Sequence, residues 1–309
     1  MSTFATNLKQ EPTAGPSLGF VGAIGIQRVT ETLRGSFTVL RQLPGSESAE
    51  FYLARSTSGE PRLVRIKVLA PRAAHDARKR EFFRLEARAA ATLKHPSITR
   101  SSEALYIGGI HMSSIEHRPW SESLRNLLKR KGWLPLEQAA RIVNQVASAL
   151  DCAHSAGVLH LRLTPDNVLI EPNGHVMVTD FGIGAGAELT WAHKERSRAM
   201  LPKYSSVEQG MQHPLDHRSD IYSLGLLLYE ILTDRVPFES CDSESLMEKR
   251  ATQPPLPASL LSTGVPASIS DIAMKLLERD ANKRPARASG LQVALSRVMK
   301  TTIEVGKRG

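Results

Sequence analysis

The chain has 309 residues, 41% of them hydrophobic, and a formal net charge of +9. That apolar content supports a sizeable core and excludes a disordered chain. Its two cysteines, Cys152 and Cys241, exclude a disulfide framework, and the longest apolar stretch, Ile221 to Leu232, is far short of the roughly 20 residues that cross a bilayer.

Residues 1–34 mix Ser, Thr, Gly and Pro without helical or strand period, which predicts a mobile N-terminal extension. A small β-rich lobe is expected over 35–114. Within it Phe51-Tyr52-Leu53-Ala54 reads as one strand, and Leu63 to Leu69 as another with Lys67 among apolar neighbours. Glu86 follows Lys67 by 19 residues in a helical stretch from Arg80 to Leu93. His95-Pro96 is expected to end that helix, because the residue before a proline is pushed out of the α region.

A hinge at 115–118 leads into a mainly helical lobe over 119–298 and a tail at 299–309. The clearest helix runs from Leu136 to Ala153, where Ala139, Ala140, Val143, Val146, Ala147 and Leu150 repeat at the spacing of one buried face. Beyond it comes the octapeptide His160-Leu161-Arg162-Leu163-Thr164-Pro165-Asp166-Asn167. Pro172-Asn173-Gly174 is a hairpin signal, and His175 to Thr179 reads as a strand that leads into Asp180-Phe181-Gly182. Further on, Tyr204 to Gln209 precedes an apolar helix, Ile221 to Leu232, with Ser219-Asp220 placed to cap it.

Taken in this order, the landmarks resemble those of protein kinases, most closely bacterial-type Ser/Thr kinases. The octapeptide is similar to the His-Arg-Asp-Leu…Asn catalytic loop, Val64 to Lys67 to the Val-Ala-Ile-Lys strand, and residues 180–182 to the Asp-Phe-Gly motif. The resemblance implies an α+β, two-lobed fold with a small antiparallel β-rich lobe carrying one helix and a larger helical lobe. It implies ATP with magnesium as the ligand, Asn167 and Asp180 as metal ligands, and Glu86 as the partner of Lys67. It further implies nucleotide contacts from Leu43, Phe51, Lys67, Glu86, Glu116, His117 and Leu169, and a structural ion pair between Glu208 and Arg284.

Three departures from the pattern bear on activity. Arg162 stands where the family keeps the catalytic Asp, and an arginine cannot deprotonate to act as a base; it is free in principle to pair with Asp180 or to reach a γ phosphate. Leu161 replaces the Arg that senses a phosphorylated activation segment, so phosphates on Thr190 or Ser197 would find no partner there. Pro44, Ser46 and Ala49 fall at the three glycine positions of the phosphate-covering loop, with Gly45 one place out of register, so a triphosphate would be covered poorly. The expectation is therefore a pseudokinase, a signalling or scaffold module with weak ATP binding. The alternative is an atypical but active Ser/Thr kinase with a substituted base, kept open by Lys67, Glu86, Asn167 and Asp180.

Residues 61–100 carry eleven Lys and Arg against three Asp and Glu, so the small lobe is basic. A protein partner, acidic or phosphorylated, is the expected ligand of that surface; nucleic acid is disfavoured because no nucleic-acid motif accompanies it. A cytoplasmic setting is expected, with no membrane segment in the chain. Gly15-Pro16-Ser17-Leu18-Gly19 matches a hydrolase elbow only by chance, since no strand and helix flank it.

Overall fold

Alternating apolar and polar residues from Phe37 onward form antiparallel strands. The computed structural model describes residues 24–306 apart from 47, 58, 182, 185–201 and 241. Strands β1 (Phe37–Leu43), β2 (Ala49–Ser56), β3 (Leu63–Leu69), β4 (Leu105–Ile107) and β5 (Ile110–Glu116) make one sheet in the order β1-β2-β3-β5-β4. Along β3 the two-residue period sorts the side chains: Val64, Ile66 and Val68 are buried on one face, while Arg65 and Lys67 lie half-buried on the other. Phe51 is the register partner of Lys67 and Leu53 that of Arg65, so these four share the cleft face.

The N-terminal expectation needs correction. Residues 26–32 form helix α1 (Ile26–Thr32), whose Val29 and the following Leu33 are buried against Tyr52, Ile66, Val68 and Met112. Two apolar residues four apart suffice for one buried contact, too little periodicity to detect in the sequence. Residues 1–23 lie outside the described part of the chain.

A short helix α2 (Pro71–Ala74) precedes α3 (Ala77–Thr92). The latter starts three residues earlier than predicted because the Asp76 carboxylate caps it, accepting from Arg78 N at 2.8 Å and Lys79 N at 3.3 Å. It ends at Thr92, with Leu93 already extended, before Pro96 is reached.

The larger lobe comprises β6 (Glu122–Ser123), α4 (Leu124–Lys131), α5 (Leu136–Ser155), β7 (Val158–Leu159), β8 (Val168–Ile170), β9 (Val176–Val178) and β10 (Ile183–Gly184). It continues with α6 (Val207–Gly210), α7 (His217–Thr233), α8 (Ser243–Thr252), α9 (Ala258–Leu261), α10 (Ala267–Leu276) and α11 (Ser289–Gly306). The α11 range takes the predicted tail into a helix as far as Gly306. The hairpin at 172–174 forms as read, with Gly174 at φ 83° and β8 paired antiparallel to β9. Helix α7 is the axis of the lobe: Ser219 through Leu232 are all buried, between α5 and α10. Gly225 permits the close approach, since a Cβ there would lie 2.7 Å from Leu276 Cβ.

The α7 cap differs from the reading. Asp216, not Ser219 or Asp220, accepts from Arg218 N at 2.8 Å and starts the helix a turn earlier. Among the described residues no helix is long and apolar enough to cross a membrane. Leu33→Ala should lower the urea-unfolding free energy by about 2–5 kcal/mol, as a fully buried leucine would; wild-type stability in that variant would show that α1 does not pack.

Candidate nucleotide cleft

Asp220, buried inside α7, builds the loop that lines the cleft. Its carboxylate accepts from His160 N at 2.8 Å, Leu161 N at 2.7 Å and His154 Nε2 at 2.8 Å. Leu161 is thereby held at φ 56°, a conformation that leucine otherwise avoids. Burial opposes ionisation of Asp220, yet the hydrogen bonds and charge of His154 and the bond from His160 outweigh it and keep the carboxyl below its ordinary range. His154 therefore sits on Asp220, while His160 lies in the core.

His160 is fully buried, 4.6 Å from the Phe181 ring, with Nε2 bonded to Thr179 O at 3.1 Å and Nδ1 accepting from Arg162 N at 3.2 Å. Burial pushes its pKa down to about 4. Leu161, at the position of the phosphate-sensing Arg, joins Leu159, Phe82 and Leu215 in an apolar contact. The loop is therefore built on hydrophobic contact where the pattern has a charge.

Two predicted ion pairs form. Lys67 Nζ lies 2.7 Å from Glu86 Oε2, with the Phe83 ring 5.4 Å away. Arg284 reaches Glu208 at 2.7 and 3.0 Å, and its charge holds the Glu208 carboxyl down against the upward push of burial. The segment around Glu208 has further supports that sequence reasoning missed: Arg250 donates to Ser205 O at 2.6 Å and Lys203 O at 2.5 Å, and Ser206 caps α6 in a reciprocal box with Gln209. Thr190 and Ser197 lie outside the described residues, as does Gly182.

The expected nucleotide contacts are spread over both lobes. Leu43 and Phe51 are register partners at the mouth of the β1–β2 hairpin, on the face that carries Lys67. Leu169 lies in β8, paired with Met177 of β9. Glu116 is the register partner of Val64, on the face turned from the cleft, and its carboxylate lies 3.4 Å from Arg118. The His117 N–H is already given to Leu63 O at 2.8 Å.

The largest surprise is the partner of Asp180. The guanidinium that pairs with it belongs to Arg65, 115 residues away, and not to Arg162. Arg65 also lies over the Phe51 ring at 5.5 Å. Burial opposes the Asp180 charge, but Arg65 first, then Arg162 and Lys67, outweigh it and hold the carboxyl down at about 2. The other Asp180 oxygen accepts from Asn167 Nδ2 at 3.0 Å, and Asn167 Oδ1 accepts from Thr164 at 2.7 Å. Arg65 occupies the Ala position of the Val-Ala-Ile-Lys pattern, and strand alternation alone places it beside Lys67. That was the available signal.

With this geometry described, a sequence-family model for the protein kinase domain matches residues 39–295. The chain belongs to the protein kinase family. It is similar to the probable serine/threonine-protein kinase CPE1738 of Clostridium perfringens, 31% identical over 77% of this chain and 35% of that one. It is similar also to the serine/threonine-protein kinase PknB of Mycobacterium leprae, 33% identical over 81% of this chain and 41% of that one. It thus spans less than half the length of these relatives. The crystal structure of the Mycobacterium tuberculosis PknI kinase domain superposes with a TM-score of 0.66 at 24% identity, covering 85% of this chain and 96% of that one, which shows the shared fold. The chain is thus a Ser/Thr-kinase-like domain of a family that works on ATP with magnesium. The three expected ligand oxygens, both of Asp180 and Oδ1 of Asn167, each accept one hydrogen bond, from Arg65, Asn167 and Thr164 in turn.

Asp220→Ala should cost about 3 kcal/mol or more, since two buried backbone N–H groups and His154 lose one acceptor; chemical denaturation measures it. The His160 proton supplies a pH test. The imidazole titrates near 6.5 when unfolded and near 4 when folded, so the unfolded chain binds more protons between those values. Stability should therefore fall by up to about 3 kcal/mol as pH drops from 6.5 to 4, and fall less steeply in His160→Phe.

Proposed function

We propose that this kinase-fold domain is a pseudokinase that acts as a signalling or scaffold module and binds nucleotide only weakly. The observation that carries the reading is Arg162: the group placed to take the proton of a substrate hydroxyl is a permanent cation. The altered phosphate-covering loop at Pro44, Ser46 and Ala49 and the engagement of Asp180 by Arg65 support it. Cytoplasmic placement belongs to the same reading, in keeping with the two cysteines in 309 residues.

The partner we propose is an acidic or phosphorylated protein that docks on the small lobe, where Arg72, Arg78, Arg88, Lys94 and Arg100 are exposed. A second reading, a slow kinase, is favoured by the Lys67–Glu86 pair at 2.7 Å. Radiolabelled phosphate transfer from ATP to the protein itself and to generic substrates decides between them. The expected rate is on the order of 10²–10⁴-fold below an ordinary kinase, and Arg162→Asp alone should not restore it, because Arg65 still holds Asp180. Fast transfer by the wild type that Asp180→Ala abolishes would overturn the pseudokinase reading.

A further inference from the structure

The cleft has its charge reversed. Where the kinase pattern puts alanine and aspartate, this chain has Arg65 and Arg162. The pattern would leave Lys67 alone against three carboxylates, a site that needs a divalent ion before a polyphosphate can approach. Here, among the described residues, Arg65 pairs with Asp180, Lys67 pairs with Glu86, and Arg162 adds a third positive charge that acts on Asp180. Both Arg65 and Arg162 act electrostatically on Asp180, and Arg65 touches it directly. Each expected ligand oxygen also already accepts one protein hydrogen bond: those of Asp180 from Arg65 and Asn167, and Asn167 Oδ1 from Thr164.

We infer that Arg65 stands in for the metal, and that the cleft binds a polyphosphate anion without any divalent cation. A guanidinium presents five N–H donors in a planar fork, so one bond to Asp180 Oδ1 leaves others to meet phosphate oxygens. Lys67, braced by Glu86, lies on the same face of β3, two residues on. The inference deepens the pseudokinase reading and rests on it, because it concerns the same cleft. It also reverses the usual metal dependence, since the fully ionised triphosphate carries more negative charge than its magnesium complex and suits this site better.

Calorimetric titration of the full chain tests it, with ATP, inorganic tripolyphosphate and adenosine as probes, each in EDTA and in magnesium. Both polyphosphates are expected to bind in EDTA at least as tightly as in magnesium, and adenosine to bind far more weakly. Arg65→Ala is expected to lose at least tenfold in affinity in EDTA and to regain binding when magnesium is added. Arg65→Lys keeps the charge and should stay independent of metal, which separates a lost cation from a damaged fold. Polyphosphate binding that needs magnesium in the wild type, or no binding in EDTA, overturns the inference. So does an Arg65→Ala variant that binds in EDTA as the wild type does. Phosphate transfer reports separately: a transfer-dead protein that needs magnesium to bind ATP would sink the inference and leave the pseudokinase reading standing.

Discussion

The Asp220 carboxylate is the constraint on which the cleft depends. It is buried at 0% exposure in the central helix and accepts three hydrogen bonds, two of them from consecutive backbone N–H groups of the catalytic-type loop. Burying a charge is costly unless it is paired and bonded, and here the bonds do a second job: they hold Leu161 in the left-handed region. That turn sets His160 against Phe181 and presents residue 162 at the cleft. None of these three bonds involves the side chain at position 162, so an arginine can replace a carboxylate there without disturbing the scaffold.

Around this scaffold the family's architecture persists while several cleft residues differ from its pattern. The Lys67–Glu86 and Glu208–Arg284 pairs hold one helix to the sheet and the segment after residue 201 to the lobe. Both are local arrangements of charge that need no ligand. In the cleft, by contrast, Leu161 makes an apolar contact at the position of the family's phosphate-sensing Arg, and a guanidinium, that of Arg65, pairs with Asp180. Surface ion pairs are worth little, but a half-buried arginine against a half-buried carboxylate is screened less.

Much of this was legible in the residues. The Lys67–Glu86 pair, the hairpin at Gly174 and the Glu208–Arg284 pair follow from motifs whose spacing carries the geometry. Helix α1 escapes the sequence because its fully buried contacts with the sheet are Val29 and Leu33, in a stretch whose composition suggests a linker. The role of Asp220 was mistaken because a polar residue before an apolar helix reads as a cap, whereas Asp216 does the capping and Asp220 turns inward. The period of β3 puts Arg65 beside Lys67, yet nothing local says which acid it meets.

The sequence by itself determined the kinase fold and the cation at position 162, because the motif spacing specifies the lobes and an arginine side chain cannot give up its proton under any packing. Only the tertiary structure decided which cation neutralises Asp180. Arg65 and Arg162 are both candidates on paper; the choice depends on how the small-lobe sheet sits over the β9 hairpin, bringing together residues 115 positions apart. A long-range contact of that kind has no local signature, since it is set by the packing of whole elements.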